Sequence, residues 1–571
     1  MKHLLGTIAW LFTAALSAQT QLYIPDTINS SAIGLMMHQD SVAFRPGPKT
    51  KTLGFNTHAY LGPTLLLKNG NTYSFTVTNH IADTTTVHWH GLHVASVNDG
   101  GPHTAILPNA TWSPGFTVLD KASTYWYHPH FHGKTALHAL KGAAGLIIVR
   151  DAQEAALNLP RTYGVDDVPV IVQTQQLDSV NQVMPKGMED SLLLVNGARA
   201  NYGYSVFAGL PAQVVRMRLL NAGGERNYNF GFSGNKAFKV IGSDGGLLNA
   251  PVNVTRIRLA PGERAEILID LSGMSGQSLY LMSYASELPM GVQGGPTMPM
   301  PPGNPPMDSP LNGTDFNILK INVVPATSNP VLTIPSTLVN VTPYTASQAV
   351  ITRTITMTAQ NMMVMDGPFY FNNQLFDMMR IDYRIPLNNI EIWELSNQTM
   401  VAHPFHLHDT QFYVLDRDGN LPAPEERGRK DVVLVSPNET VRFITRFEDF
   451  ADTVVPYMYH CHVLMHEDDG MMGQFVVKPP VTGVKQLYKD DWGISVYPNP
   501  AGQTLHIDVK DFNVNDDIRI AFYNNLGQCI YASGRVSASD VNLDVSGFEP
   551  GIYMLEIRKN NTNTTQKIMI E

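Results

Sequence analysis

Along most of this chain apolar and polar residues alternate with a period of two rather than the 3.6 of a helix. In Tyr73 to Asn79 every second residue is apolar, the pattern of a strand with one buried face. The same frame returns in Val215 to Asn221 and in Ile390 to Asn397. Phe75, Met217 and Trp393 share one inward position, Val77, Leu219 and Leu395 the next, and each run closes on Asn. Turn signals such as Ser113-Pro114-Gly115, Ala260-Pro261-Gly262 and Ser436-Pro437-Asn438 separate such runs. Short alternating strands punctuated by turns predict an all-β chain of antiparallel sandwiches, and the threefold return predicts an internal repeat.

The pattern breaks at both ends. Lys2 and His3 precede an apolar stretch from Leu4 to Leu16 with small residues at Ser17 and Ala18, which reads as a secretory signal over 1–18. That stretch is too short to span a bilayer, and no other is long enough. Beyond Lys478-Pro479-Pro480 a polar linker over 481–492 precedes a second alternating region at 493–571, predicted to be a small β-sandwich. The body divides into predicted domains at 22–155, 160–325 and 340–480. With a net charge of −10 and only 39 Lys and Arg in 571 residues, nucleic-acid binding is disfavoured.

The candidate chemistry is concentrated in Tyr457 to Met471, which holds His460, Cys461, His462, His466 and Met471. A thiolate with imidazoles and a weak thioether selects copper among the common metals. Because a strand alternates faces, Cys461 points one way and His460 and His462 the other. Three further His-x-His pairs stand at His88/His90, His128/His130 and His406/His408, with His403 at the opposite parity to the last. The repeat orders them. Nine and eleven residues after Asn79 come His88 and His90; the same steps after Asn397 give His406 and His408, and after Asn221 give Phe230 and Phe232. The middle domain thus keeps the frame without ligands and is expected to be a copper-free spacer. Tyr125 to His130 aligns with Tyr457 to His462, setting Pro129 against Cys461 and Ala143 against Met471. His130-Phe131-His132 offers an alternative pair, but the alignment places His132 opposite Leu464; His93, His103 and His138 fall outside the frame.

With these motifs the chain resembles a three-domain multicopper oxidase of the laccase and bacterial copper-oxidase type. The resemblance implies cupredoxin-like Greek-key sandwiches and four copper ions. It implies a type 1 copper on His403, Cys461 and His466 with Met471 axial. His88 and His406 resemble type 2 ligands; His90, His128 and His462 resemble those of one type 3 copper, and His130, His408 and His460 those of the other. Substrate electrons would enter at the type 1 copper and reduce O2 to water at the trinuclear cluster. Asp99 and Glu467 match family positions for proton donors. A Cys461–Cys529 disulfide is not expected, because copper would consume Cys461. The C-terminal region, with Tyr497-Pro498-Asn499-Pro500 and Gly551-Ile552-Tyr553, resembles a type IX secretion sorting domain; an accessory adhesion module is the plainer alternative. It implies delivery to the medium or outer surface by the type IX machinery.

The electron donor is less constrained. Met290, Met298, Met300 and Met307 lie in a Pro/Gly-rich loop ending at Pro310, which has little capacity to build a core. Met357, Met362, Met363, Met365, Met378 and Met379 precede the third copy of the repeat, and Met400 lies near His403. Thioethers favour Cu(I), and resemblance to the bacterial copper-tolerance branch, whose Met-rich segments deliver Cu(I), implies a cuprous oxidase, although the segment in domain two is not where the best-known cuprous oxidases carry theirs and Met also fills irregular cores. Laccase-like oxidation of phenols or aromatic amines at the edge of His403 is the alternative; ferroxidase and manganese oxidase activities remain further ones. A copper-free envelope scaffold, known among relatives, is the remote one.

Overall fold

The computed structural model describes residues 18–186, 190–297, 309–360, 367–479, 494–509, 513, 515–536, 538–560 and 562–571. Residues 1–17 of the expected signal, the 481–492 linker, Met298, Met300, Met307, Met362, Met363 and Met365 lie outside them. The chain is built of β-sheets joined by turns and short helices, as the alternation predicts. It forms two compact units, Met1–Lys478 and Pro479–Glu571.

In the first unit the three repeat strands are Thr72–Asn79, Val214–Asn221 and Ile390–Asn397. Each has a parallel neighbour on one side and an antiparallel one on the other. The apolar faces close separate cores around Phe75 and Trp89, around Met217 and Phe230, and around Trp393 and Phe405. The terminal asparagines are buried brackets. Asn79 Nδ2 donates to the carbonyls of Asp83 and Ile106, both at 2.8 Å, while its Oδ1 accepts from Ile81 N at 2.9 Å. Asn221 binds Arg226 O, Leu259 O and Gly223 N in the same way at 2.8, 2.9 and 3.0 Å. Asn397 does so with Val401 O, Val435 O and Thr399 N at 2.8, 3.0 and 2.9 Å. A buried amide must satisfy its donors and acceptor. Here it does so by pinning the turn after its strand, and that turn leads into the ligand strands His88–His90 and His403–Leu407.

Two features were not anticipated. Ala18–Gln21, read from sequence as signal and unassigned residues, is an edge strand of the second domain's sheet. It runs parallel to Tyr204–Pro211 with Ala18 opposite Tyr204. Gln19 and Gln21 give no apolar signal because the strand is held through backbone pairing. Domains one and three also meet through a helix end: Asp468 accepts from Thr135 N and Ala136 N, each at 2.9 Å.

The second unit has a three-stranded sheet (Ile494–Tyr497, Thr504–Val509, Asp540–Asp544) and a four-stranded sheet (Ile518–Tyr523, Cys529–Ala532, Gly551–Lys559, Thr562–Ile570). Leu505, Ile507, Phe522 and Leu555 belong to its own core. Cys461 is buried and Cys529 exposed, and both are free thiols. No helix among the described residues is long and apolar enough to cross a membrane.

Candidate metal centres

The ladder registers bring the motifs together. His88 lies opposite His128 and His90 opposite Trp126 in domain one; in domain three His406 lies opposite His460 and Phe405 opposite Cys461. Two strands of each domain therefore turn their imidazoles to one face, and the faces meet at the domain one–three boundary. Rings interleave across it: His88 stacks on His408 at 3.9 Å between centroids, and His90 on His406 at 3.8 Å. The eight imidazoles form the sets His88/His90/His406, His90/His128/His462 and His130/His408/His460, with donor atoms within 4.8 Å of one another in each set. Asp99 joins His88 and His408 in a further set of the same kind. On the other face of the Cys461 strand stands His403/Cys461/His466, with Sγ 3.5 Å from Nδ1 of each imidazole.

The far ring nitrogens decide where the lone pairs point. His88 Nδ1 donates to Asp99 O at 2.8 Å and His406 Nδ1 to Asp431 O at 2.7 Å, leaving both Nε2 atoms buried without a partner. His408 Nδ1 donates to the Asp99 carboxylate at 2.8 Å. Glu467 places one oxygen 3.3 Å from His130 Nδ1 and the other 3.2 Å from His460 Nδ1. His408 Nδ1 is held by Asp99 and His460 Nδ1 donates to Cys461 O at 3.1 Å, so both turn bare Nε2 lone pairs on one point with His130, His460 Nε2 standing 3.1 Å from His130 Nε2 and 3.3 Å from His408 Nε2. Lone pairs at that distance repel unless a cation lies among them.

Burial, helped by neighbouring imidazoles, drives His90, His128, His130, His406, His460 and His462 well below the ordinary histidine range. Burial likewise depresses His403, and it takes His466 to about 3. All are thus neutral donors at neutral pH. Burial pushes the Cys461 thiol far up. It has two neutral imidazoles beside it, so a thiolate there calls for a metal cation. The donor set fits copper. Met471 is buried in the core that contains Cys461, and its carbonyl accepts from Cys461 N at 3.0 Å.

The two carboxyls are shifted in opposite directions. Burial would raise Asp99, but His408 and His88 outweigh it and hold it well below the usual range. Burial, with Asp468 adding, lifts Glu467 well above it.

The remaining histidines are elsewhere. His132 packs against Phe376, His138 meets Thr85 Oγ1, His93 sits between Asp409 and Asp449, and His103 meets Gln474. His403 is 0% exposed and His466 6%, so the ring edge nearest solvent is that of His466 rather than His403. Sequence reasoning missed Asp431, Arg264 and Gly262. Gly262 has φ +85, and a Cβ there would come within 2.9 Å of the His462 ring. The middle domain, ligand-free in every described set, therefore still touches the imidazole pocket. Only long-range packing joins these residues to the ligands, and nothing local in the sequence signals it.

Comparison with known proteins gives the same family. Multicopper oxidase profiles match residues 37–154, 168–296 and 342–481, and a secretion system C-terminal sorting domain profile matches 495–571. The chain is 34% identical over 439 residues to the multicopper oxidase mco of Staphylococcus haemolyticus, covering 75% of this chain and 84% of that one. It is 32% identical over 497 residues to the cell division protein FtsP of Sodalis glossinidius, covering 84% and 99%. Its fold is similar to the laccase-like multicopper oxidase CueO of Ochrobactrum sp., described as acting on lignin model compounds and lignosulfonate. That likeness has a TM-score of 0.69 at 32% identity, over 80% of this chain and 100% of that chain.

Proposed function

Because this chain belongs to the multicopper oxidase family of oxidoreductases, we propose that it couples one-electron oxidation of a donor beside His466 to four-electron reduction of O2 to water. The observation that carries the reading is the joined donor set. His403, Cys461, His466 and Met471 would hold one copper. His88 and His406 would hold a second, His90, His128 and His462 a third, and His130, His408 and His460 a fourth. Copper, when bound, supplies the one-electron redox chemistry that lets single-electron donors meet the demand of O2. Cys461 is bonded through its own peptide links to His460 and His462, so covalent backbone joins the sulfur site to the imidazole pocket on both sides. Glu467 stands at the His130/His460 edge, where a carboxyl could hand on a proton, and Asp99 fixes Nδ1 of His88 and His408 so that their Nε2 atoms stay bare.

Asp99→Asn is expected to slow O2 consumption roughly 10- to 100-fold, the usual cost of losing a carboxylate behind ligating imidazoles. The blue thiolate-to-copper band should be unchanged, since Asp99 lies on the other side of the strand from the sulfur. An unaltered rate, with O2 reduction limiting, would leave Asp99 a structural anchor.

The donor we favour is Cu(I). The start of the Met290–Pro310 loop is docked beside His403: Ala402 N donates to Gly291 O and Gln293 Nε2 to Ala402 O, both at 2.8 Å. Phe369, which follows Met362, Met363 and Met365 in sequence, packs on His403 and His466 at 4.8 and 4.4 Å between ring centroids. Described residues flanking both Met-rich segments thus stand beside the sulfur site, and thioethers prefer Cu(I). The likeness to the Ochrobactrum enzyme favours phenolic substrates as the second reading. The likeness to FtsP raises a scaffold role, against which the complete donor set argues. Because its first residues are docked, deleting the whole loop would disturb the His403 strand. Replacing Met298, Met300 and Met307 by Leu is the cleaner test. O2 consumption by copper-loaded protein with Cu(I), Fe(II) and a phenol should then show Cu(I) turnover falling and phenol turnover holding. Parallel loss would mean that these residues support the fold; no loss would move the phenol reading ahead. The sorting-domain match implies export by type IX secretion, and we place the protein at the outer surface or in the medium.

A further inference from the structure

His90 differs from the other seven imidazoles of the pocket. Its Nδ1, not its Nε2, faces the set: it lies 3.4 Å from His128 Nε2 and 3.3 Å from His462 Nε2. Its Nε2 is turned outward, 3.1 Å from Asp431 Oδ1. His128 Nδ1 donates to Pro129 O at 2.8 Å, so its Nε2 is a lone pair; His90 can ligate beside it only if its own proton sits on Nε2.

What holds Asp431 in place comes from the middle domain. Arg264 Nη1 and Nη2 each donate to one oxygen of Asp431 at 2.6 Å, and both side chains are at most 1% exposed. The guanidinium is itself fixed on every edge: Nε to Thr124 O of domain one at 3.0 Å, Nη1 to Gly262 O at 2.9 Å, Nη2 to Asp244 O at 3.0 Å. The backbone around Asp431 is tied to the same point, its own amide donating to Asp244 Oδ2 at 3.3 Å and Lys430 Nζ to that oxygen at 2.9 Å. Room for the pair is made by Gly91, directly after His90, where a Cβ would come within 2.4 Å of Asp431 Oδ2 and 2.7 Å of Arg264 Nη2. A planar fork meeting both carboxylate oxygens fixes orientation as well as charge. Meanwhile the Asp431 carbonyl accepts from His406 Nδ1, so one residue orients a ligand from each of two domains.

We propose that Arg264 is a positioning residue of the middle domain: through Asp431 it fixes the ring proton of His90 on Nε2 and so selects Nδ1 as the metal-facing atom. The proposal rests on the copper-cluster reading of His90 and adds a task for a domain that contributes no ligand. It predicts that the middle domain controls cluster occupancy without controlling the sulfur site.

The first test needs no copper. Nitrogen NMR of the full chain with labelled histidine, prepared metal-free, should show His90 protonated on Nε2; protonation on Nδ1 would overturn the proposal whatever any variant does. The second uses Arg264→Lys, which keeps the charge but not the fork, and Arg264→Met. After copper loading, the near-ultraviolet shoulder of the coupled pair should weaken relative to the blue band. Copper at the cluster should be lost to a chelator roughly 10- to 100-fold more readily, with Lys milder than Met and the blue band intact. Wild-type ratios in both variants, or equal loss of shoulder and blue band, would make Arg264 structural glue and overturn the proposal. A wild-type protein with the blue band but no shoulder would instead overturn the cluster reading beneath it.

Discussion

Cys461→Ser is expected to give a folded, colourless protein with no oxidase turnover on any donor. The sulfur is fully buried, lies 3.5 Å from both imidazoles and heads the backbone route to His460 and His462. An alcohol at this position is a poor ligand for copper and gives no intense charge-transfer band. The structural cost is small by comparison: a buried, unsatisfied hydroxyl costs about 1–3 kcal/mol against a stability of roughly 5–15 kcal/mol for a domain. Circular dichroism should therefore match wild type while absorption and O2 uptake collapse. Retained turnover with Cu(I) or a phenol would remove Cys461 from the electron route.

His130→Ala and His132→Ala should differ sharply although the residues are two apart and share a strand-like parity. His130 is 0% exposed, its Nε2 is 3.1 Å from His460 Nε2, and its Nδ1 faces Glu467. Its loss should empty or distort the third histidine set, abolishing O2 reduction while the sulfur site stays blue and reducible by donor. His132 packs on Phe376 outside every donor set, so its removal should cost packing alone. Stopped-flow reduction of the blue band, followed by reoxidation with O2, separates the two steps. A bleached His130 variant, or a dead His132 variant, would mean that the repeat alignment has slipped by one pair.

Much of this was legible because it is periodic. The offset from Asn79 to His88 and His90 recurs from Asn397, and the same alternation that buries Phe75 and Trp393 assigns each histidine to a face. The asparagines themselves were visible only as a pattern; why they recur became clear when each proved to bracket the turn ahead of the next strand, which carries ligands in domains one and three and Phe230 and Phe232 in the middle domain. What stayed hidden depends on contacts between residues far apart in sequence. Arg264 and Asp431 are unremarkable charges in sequence, one opening a strand and one just before another, and only their meeting across domains links them to His90. The solvent-facing edge at His466 was similarly unreadable, since exposure is set by what packs over a ring rather than by its spacing from Cys461.

The strand Ala18–Gln21 has a further consequence for domain one. Just before that domain begins, the chain is paired to the second domain's sheet through Tyr204–Pro211; just after it ends, the chain enters the same domain's other sheet as Asp167–Gln175. Domain one is therefore a loop with both ends tethered to one neighbour. A doubly tethered body explores little volume, so its partners meet it at an effective concentration in the millimolar range or above without any added contact. Its four imidazoles are thereby presented to domain three as an intramolecular partner.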